Sequence, residues 1–194
     1  MLTYNSISKK MMVGKLTEKN SILEIIKARH SVRKFENTSV SDEDLNGVLE
    51  AARWAPSGTN KQPWHFIVIK NKDTQKKLAE MLPWGRFIKN APIAIAILVH
   101  LKSMWAIVDG VIAMTHITLE AAARGLGTCW CACWPNIEKN PELEKNINKI
   151  LGIPEKLFGK IKLITITPLG YPAADGIVKT SRKQLSEIVH YEKF

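Results

Sequence analysis

The chain has 194 residues, 45% hydrophobic and 24% charged, proportions that exclude disorder of the whole length. A net charge of +10 and a pI near 9.6 suit an anionic partner. Yet most of the 28 basic residues are lysines set beside glutamates on helix-like segments, the pattern of a solvated face and not of a nucleic-acid footprint.

Residues 1–16 are polar, lysine-bearing and aperiodic, and read as an extended N-terminal arm ahead of one domain over 17–194 with a C-terminal tail. Helix periodicity starts near Thr17 and predicts a buried face from Ile22, Ile25, Ile26 and Arg29. Ser41-Asp42-Glu43-Asp44 resembles a capping box and opens a second helix, with Leu45, Val48, Leu49 and Ala52 on its apolar side. That helix must end before Pro56. Trp64–Lys70 predicts a strand, Asp73–Leu82 a short amphipathic helix, and Ala91–His100 a buried strand. The longest helix spans Met104 to Arg124, with Val108, Val111, Ile112, Thr115, Leu119 and Ala122 as its packed side and Gly125 as its stop. Gly127–Trp134 is strand-like, Asn140-Pro141 opens a helix to Leu151, Lys160–Thr167 is a strand, and Gln184–Tyr191 regains helical patterning. No secretory core opens the sequence, and no unbroken apolar run reaches the roughly 18–20 residues of a membrane span.

The cysteines fall at 129, 131 and 133. On a strand their spacing puts all three thiols on one face. Close spacing and odd number argue for a reducing cytosol, and with no Cys-x-x-Cys pair or histidine cluster to complete four ligands they read as buried free thiols, not a metal site. His65, His100 and His116 read as satisfied core groups, and Asp109 as either a buried anchor or an exposed residue. Arg29 and Arg33 lie on one side of a helical turn, with Ser31 between them, a set suited either to phosphate oxygens or to a solvated helix end that satisfies the C-terminal dipole. Pro56-Ser57-Gly58-Thr59-Asn60 is either an ordinary helix-to-strand connection or a turn whose glycine permits close backbone approach to a ligand. Gly125-Leu126-Gly127 fails as a dinucleotide fingerprint, because a helix precedes it and a strand follows. Nucleophile elbow, zinc-protease helix and Walker loop are all missing, so no catalytic side chain is assigned. The chemistry is either borrowed from a cofactor or absent.

Four segments in order carry a resemblance: Arg29 to Phe35, Ala52 to Trp64, Leu119 to Trp130, and Leu169 to Pro172 with Arg182 beyond. Together they resemble the FMN-dependent nitroreductase family, over about Ile22 to Val189. The resemblance implies an α+β fold, a three-layer α/β/α sandwich with a central mixed sheet flanked by helices, assembled as an obligate homodimer. It further implies FMN at the subunit interface. Arg29, His30, Ser31 and Arg33 would meet its phosphate and ribityl chain, Arg182 would close on the phosphate, and Leu126 and Gly127 would lie near the ring. Pro56, Ser57 and Asn60 would approach from the partner subunit. NADH or NADPH would give hydride to flavin N5, and a nitroaromatic, quinone or similar small molecule would then take it in the same slot. Trp84 to Phe87 either lines that slot or forms a surface turn. Two alternatives stand beside this reading: the same fold with other flavin chemistry (reductive dehalogenation or flavin fragmentation), and a basic protein binding nucleic acid or anions.

Overall fold

The computed structural model describes residues 22–178 and 180–194. The predicted arm and the first residues of the predicted first helix, 17–21, lie outside the described residues. From there α1 (Ile22–Ala28), α2 (Asp42–Arg53), β1 (Trp64–Ile69), α3 (Lys72–Met81), β2 (Ile93–His100), α4 (Ala106–Ala123), β3 (Gly127–Thr128), β4 (Cys131–Ala132), α5 (Pro141–Ile150) and β5 (Ile161–Gly170) follow in order.

Local signals account for most boundaries. Ser41 Oγ accepts the Asp44 N–H at 3.0 Å, Asn71 caps α3 and Asn140 caps α5 with Pro141 behind it. Gly125 stops α4 at φ 74° while the Leu126 N–H reaches back to the Ala121 carbonyl at 2.8 Å.

The sheet order is β1-β2-β5-β3, with β4 also on β5, and every ladder among the described residues is antiparallel. The parallel component expected of a mixed sheet is a single bridge, Ser31 to Thr128. β2 lies between β1 and β5 and alternates strictly. Ile93, Ile95 and Ile97 face a core with α2 and α4 (Leu45, Val48, Met114, Ile117, Ala121). Ala94, Ala96 and Leu98 face a second core with α3, α5 and the 3₁₀ segment Pro83–Asn90 (Leu78, Ile88, Ile147). Period-two alternation thus makes one strand the shared wall of two cores, and the α/β/α layering follows.

Several expectations need correction. The packed side of α4 is Ala106, Asp109, Gly110, Ala113, Met114, Ile117 and Ala121, not the Val108–Leu119 stripe; Val108 is 51% exposed. Small residues let the helix sit close on the sheet, where a Cβ at Gly110 would stand 2.6 Å from Val99. α1 has no buried residue, and Ile22 and Ile26 are exposed, because it rests against α4 with its apolar side outward. The Gly127–Trp134 strand breaks in two at Cys129-Trp130. The break separates the thiols: Cys131 and Cys133 join the second core, while Cys129 turns toward Ser31 and Arg33. Gln184–Tyr191 forms only a 3₁₀ turn, Leu185–Glu187, and His65 is exposed. By length and mean hydropathy (1.4) α4 could cross a membrane, but its inner face packs on β2 and β5 and carries a buried carboxylate.

Candidate functional site

At the C-terminal end of α4 the chain builds a cationic edge. α1 stops at Ala28, where the His30 ring nitrogen Nδ1 lies 2.6 Å from the Ala28 carbonyl. The next residues extend along β3. The Val32 N–H donates to the Thr128 carbonyl at 2.8 Å, and the buried Val32 side chain presses so closely on Gly127 that a Cβ there would meet it at 2.6 Å. With Val32 turned in, strand alternation sends Ser31 and Arg33 the other way. Burial pushes the Cys129 thiol up, opposed first by the Arg33 guanidinium and then by Ser31 and the charge of Arg29, so all three residues bear on the Cys129 end of β3. Lys34 is held by Asp175 at 2.5 Å. Among the described residues neither Arg29 nor Arg33 forms an ion pair, and the Arg33 guanidinium lies over the Phe87 ring at 5.6 Å. Two uncompensated guanidiniums beside a hydroxyl form a donor set for an anion with several oxygens.

The Trp84–Phe87 turn docks on the same edge. The Trp84 indole N–H donates to the Ala132 carbonyl at 2.7 Å, and Gly85 packs on Cys131. Trp84 and Trp130 remain partly exposed there.

At the other end of α4 lies the Ser57–Gln62 turn. Thr59 (φ 50°), Asn60 (φ 56°) and Gln62 (φ 46°) all sit in the left-handed region, which costs about 1–3 kcal/mol each for residues other than glycine. Ser57 Oγ accepts the Gln62 N–H at 3.0 Å and Asn60 Oδ1 accepts from Gln62 Nε2 at 3.1 Å. Asp109 Oδ1 accepts the Gly58 N–H at 3.1 Å, and Gly58 packs so tightly on Trp105 that a Cβ would lie 2.5 Å from the indole. Asp109 is therefore the buried anchor of its two sequence readings, at 2% exposure.

A family model for the nitroreductase family matches residues 26–85 and 82–171, most of the chain. The chain belongs to the nitroreductase family. A relative from Methanothermobacter thermautotrophicus, bearing the provisional name NADH dehydrogenase/NAD(P)H nitroreductase, is 36% identical over 82% of this chain and 81% of its own. The crystal structure of an FMN-dependent nitroreductase from Clostridium difficile superposes with a TM-score of 0.79 at 31% identity, over 89% of this chain and 99% of that one. A Bacteroides fragilis nitroreductase with bound FMN gives 0.74 at 26% identity, over 90% and 100%.

In this nitroreductase-family chain the predicted site residues divide into two groups. Arg29, His30, Ser31, Arg33 and Gly127 meet at one end of α4; Pro56, Ser57 and Asn60 meet at the other. The 18 residues of α4, at 1.5 Å each, make the helix about 27 Å long, with one group beside each end. Leu126 is buried in the α2/α4 core, so its side chain is spent on packing. Arg182 bonds to its neighbours Thr180 and Ser181 in the exposed tail, and no hydrogen bond or ion pair among the described residues ties it to Arg29 or Arg33. Sequence reasoning passed over Trp105, Gln62 and Cys129 as site residues. A lone carboxylate inside an apolar helix was the available signal for the Trp105–Asp109 grip, and nothing local marked Gln62.

Proposed function

We propose that the protein is a cytoplasmic FMN-dependent oxidoreductase, a homodimer that takes hydride from NADH or NADPH and delivers it to a nitroaromatic, quinone or similar small molecule. The separation of the two half-sites along α4 carries this reading. One extended flavin mononucleotide is shorter than that helix, so the Arg29–Arg33 edge and the Asn60 turn of a single chain would not share one cofactor. Two chains with α4 against α4 could bring the edge of one to the turn of the other.

The surface supports that pairing. Ile22, Leu23, Ile26, Trp54, Met104, Trp105 and Val108 are exposed apolar residues along this side, where α1 lies on α4. Beside Ile22 lies a cavity of about 230 Å³ lined by Ile22, Ile25, Ala51, Leu119 and Ala123, with His116 and Glu120 as its polar members. A mostly apolar surface with a few polar members is typical of an interface.

Arg29, Ser31 and Arg33 would hold the phosphate, with Gly127 keeping their strand close. Ser57 and Asn60 of the second chain would bear on the ring. Bound FMN supplies the two-electron hydride chemistry, which is why the chain needs no acid–base pair of its own. Phe87, held under Arg33, and Trp84, pinned to Ala132, would wall the slot that donor and acceptor occupy in turn.

Anaerobic reduction of the yellow protein by NADH and by NADPH, followed by an acceptor panel, tests the activity. Arg29→Ala tests the phosphate assignment. One charge-assisted hydrogen bond contributes about 1.5–3 kcal/mol, so FMN should bind about ten- to a hundred-fold more weakly. Riboflavin, which has no phosphate, should bind the variant as it binds the parent. Equal losses for both ligands would move the phosphate elsewhere, and a preparation that stays colourless in excess FMN would end the reading.

A further inference from the structure

We infer that Asp109, with Trp105, is a positioning residue that holds the Ser57–Gln62 turn in its strained shape so that Asn60 is presented to the flavin. The inference rests on the proposed reading of that turn as a flavin contact and adds the element that shapes it.

Asp109 projects from the first turn of α4 into the fold, 2% exposed. Its Oδ1 takes the Gly58 N–H at 3.1 Å, while its Oδ2 is buried and has no hydrogen-bond partner among the described residues. A carboxylate buried with one oxygen unmet weakens a fold, because desolvation is only partly offset. A neutral side chain would serve packing better. Three residues of the turn, Thr59, Asn60 and Gln62, hold positive φ, and such backbone persists only where the surroundings over-determine it. Internal bonds donated by Gln62 to Ser57 Oγ and Asn60 Oδ1 close the turn on itself without tying it to the rest of the fold. The attachment is the Gly58 amide on Asp109 and the Gly58 α-carbon against the Trp105 indole. Trp105 and Asp109 are one helical turn apart, and the Asp109 N–H donates to the Trp105 carbonyl at 2.8 Å, so the two grips form a rigid unit. Only glycine fits between them.

Function and stability should therefore move apart. In the full-length protein, Asp109→Ala should raise the FMN dissociation constant ten-fold or more, while the apoprotein melts no lower than the parent. Asp109→Asn, which keeps an oxygen for Gly58, should bind FMN within two-fold of the parent. Trp105→Ala, at a half-exposed position that folding tolerates, should weaken FMN about three-fold or more at unchanged melting temperature, and it decides the matter if Asp109→Ala does not fold. Parent-like FMN affinity in Asp109→Ala or Trp105→Ala overturns the inference. So does equal weakening in Asp109→Asn and Asp109→Ala, or a loss of affinity matched by a loss of stability. If the parent itself takes up no FMN, the functional reading fails and amide exchange still judges the clasp. The Gly58 N–H should then exchange at least ten-fold faster in Asp109→Ala apoprotein, and unchanged exchange overturns it.

Discussion

The two sides of α4 are built from different residues. Toward the sheet it shows Gly110, Ala113, Met114, Ile117 and Ala121, mostly small, and buries them. Away from the sheet it shows Val108, Thr115 and Leu119, side chains that one chain leaves wholly or partly uncovered. A helix apolar all round is one expected to be covered all round. The inner side brings backbone close to β2 and β5; the outer side offers area to a second body. The bulk of an apolar residue is thus no guide to the core of this chain: Val108 is half exposed while Ala113 and Ala121 are buried.

Gly110→Val should have the largest effect. Even a Cβ there would lie 2.6 Å from Val99 and 3.1 Å from Ile164, both on central strands, and overpacking of this kind costs about 1–3 kcal/mol or more. We expect a poorly folded protein by circular dichroism and thermal melting. A parent-like melt would mean that α4 does not lie as close to the sheet as described.

The outer side should behave oppositely. Leu119→Glu lies on the cavity with Ile22, Ile25 and His116 and touches none of the main packing on the sheet. A buried, unpaired charge is disfavoured at an interface, so size-exclusion chromatography with light scattering should report a monomer that keeps its far-ultraviolet spectrum and loses flavin. A variant that stays dimeric would place the interface elsewhere, and a flavin-replete monomer would remove the argument from half-site separation.

The same contrast explains what could be read from the chain alone. Ser41, Asn140-Pro141 and Gly125 act within a turn of their own position, and each bounds a helix as expected. Ile93–His100 is a central strand, with β-branched Ile93, Ile95, Ile97 and Val99 at every second position and burial on both faces. The cationic edge was legible for a similar reason: Arg29, Ser31 and Arg33 are close in the chain and stay close in space. What failed depends on partners distant in sequence. The outward turn of α1 depends on α4, the break at Cys129-Trp130 on the pull of Ser31 against that of the second core, and the grip on Gly58 on a residue 51 positions away. Cys129, beyond the break, does not share the core face of Cys131 and Cys133 that alternation assigns it.

The smallest effect should come from an ion pair beside the outer side. Glu50 precedes Ala51, which lines the outer cavity, and its carboxylate accepts from Arg53 Nε at 2.8 Å and from the Trp54 indole at 2.7 Å. Hydrogen bonds from Arg53 and then Trp54 lower its pKa from the ordinary 4.5 to about 2. A carboxylate with a depressed folded-state pKa stabilises the fold above its unfolded value, and that stabilisation drains away as pH falls from 4.5 through about 2. Parent and Glu50→Gln should therefore differ in melting temperature by a small constant amount at neutral pH and converge through that acid window. The group is exposed on one chain, so the gap should be slight in a monomer such as Leu119→Glu. It should widen in the dimer if the second chain excludes water from Arg53 and Trp54. A gap equal in both backgrounds would confine the interface to α1 and α4, with the end of α2 left in solvent.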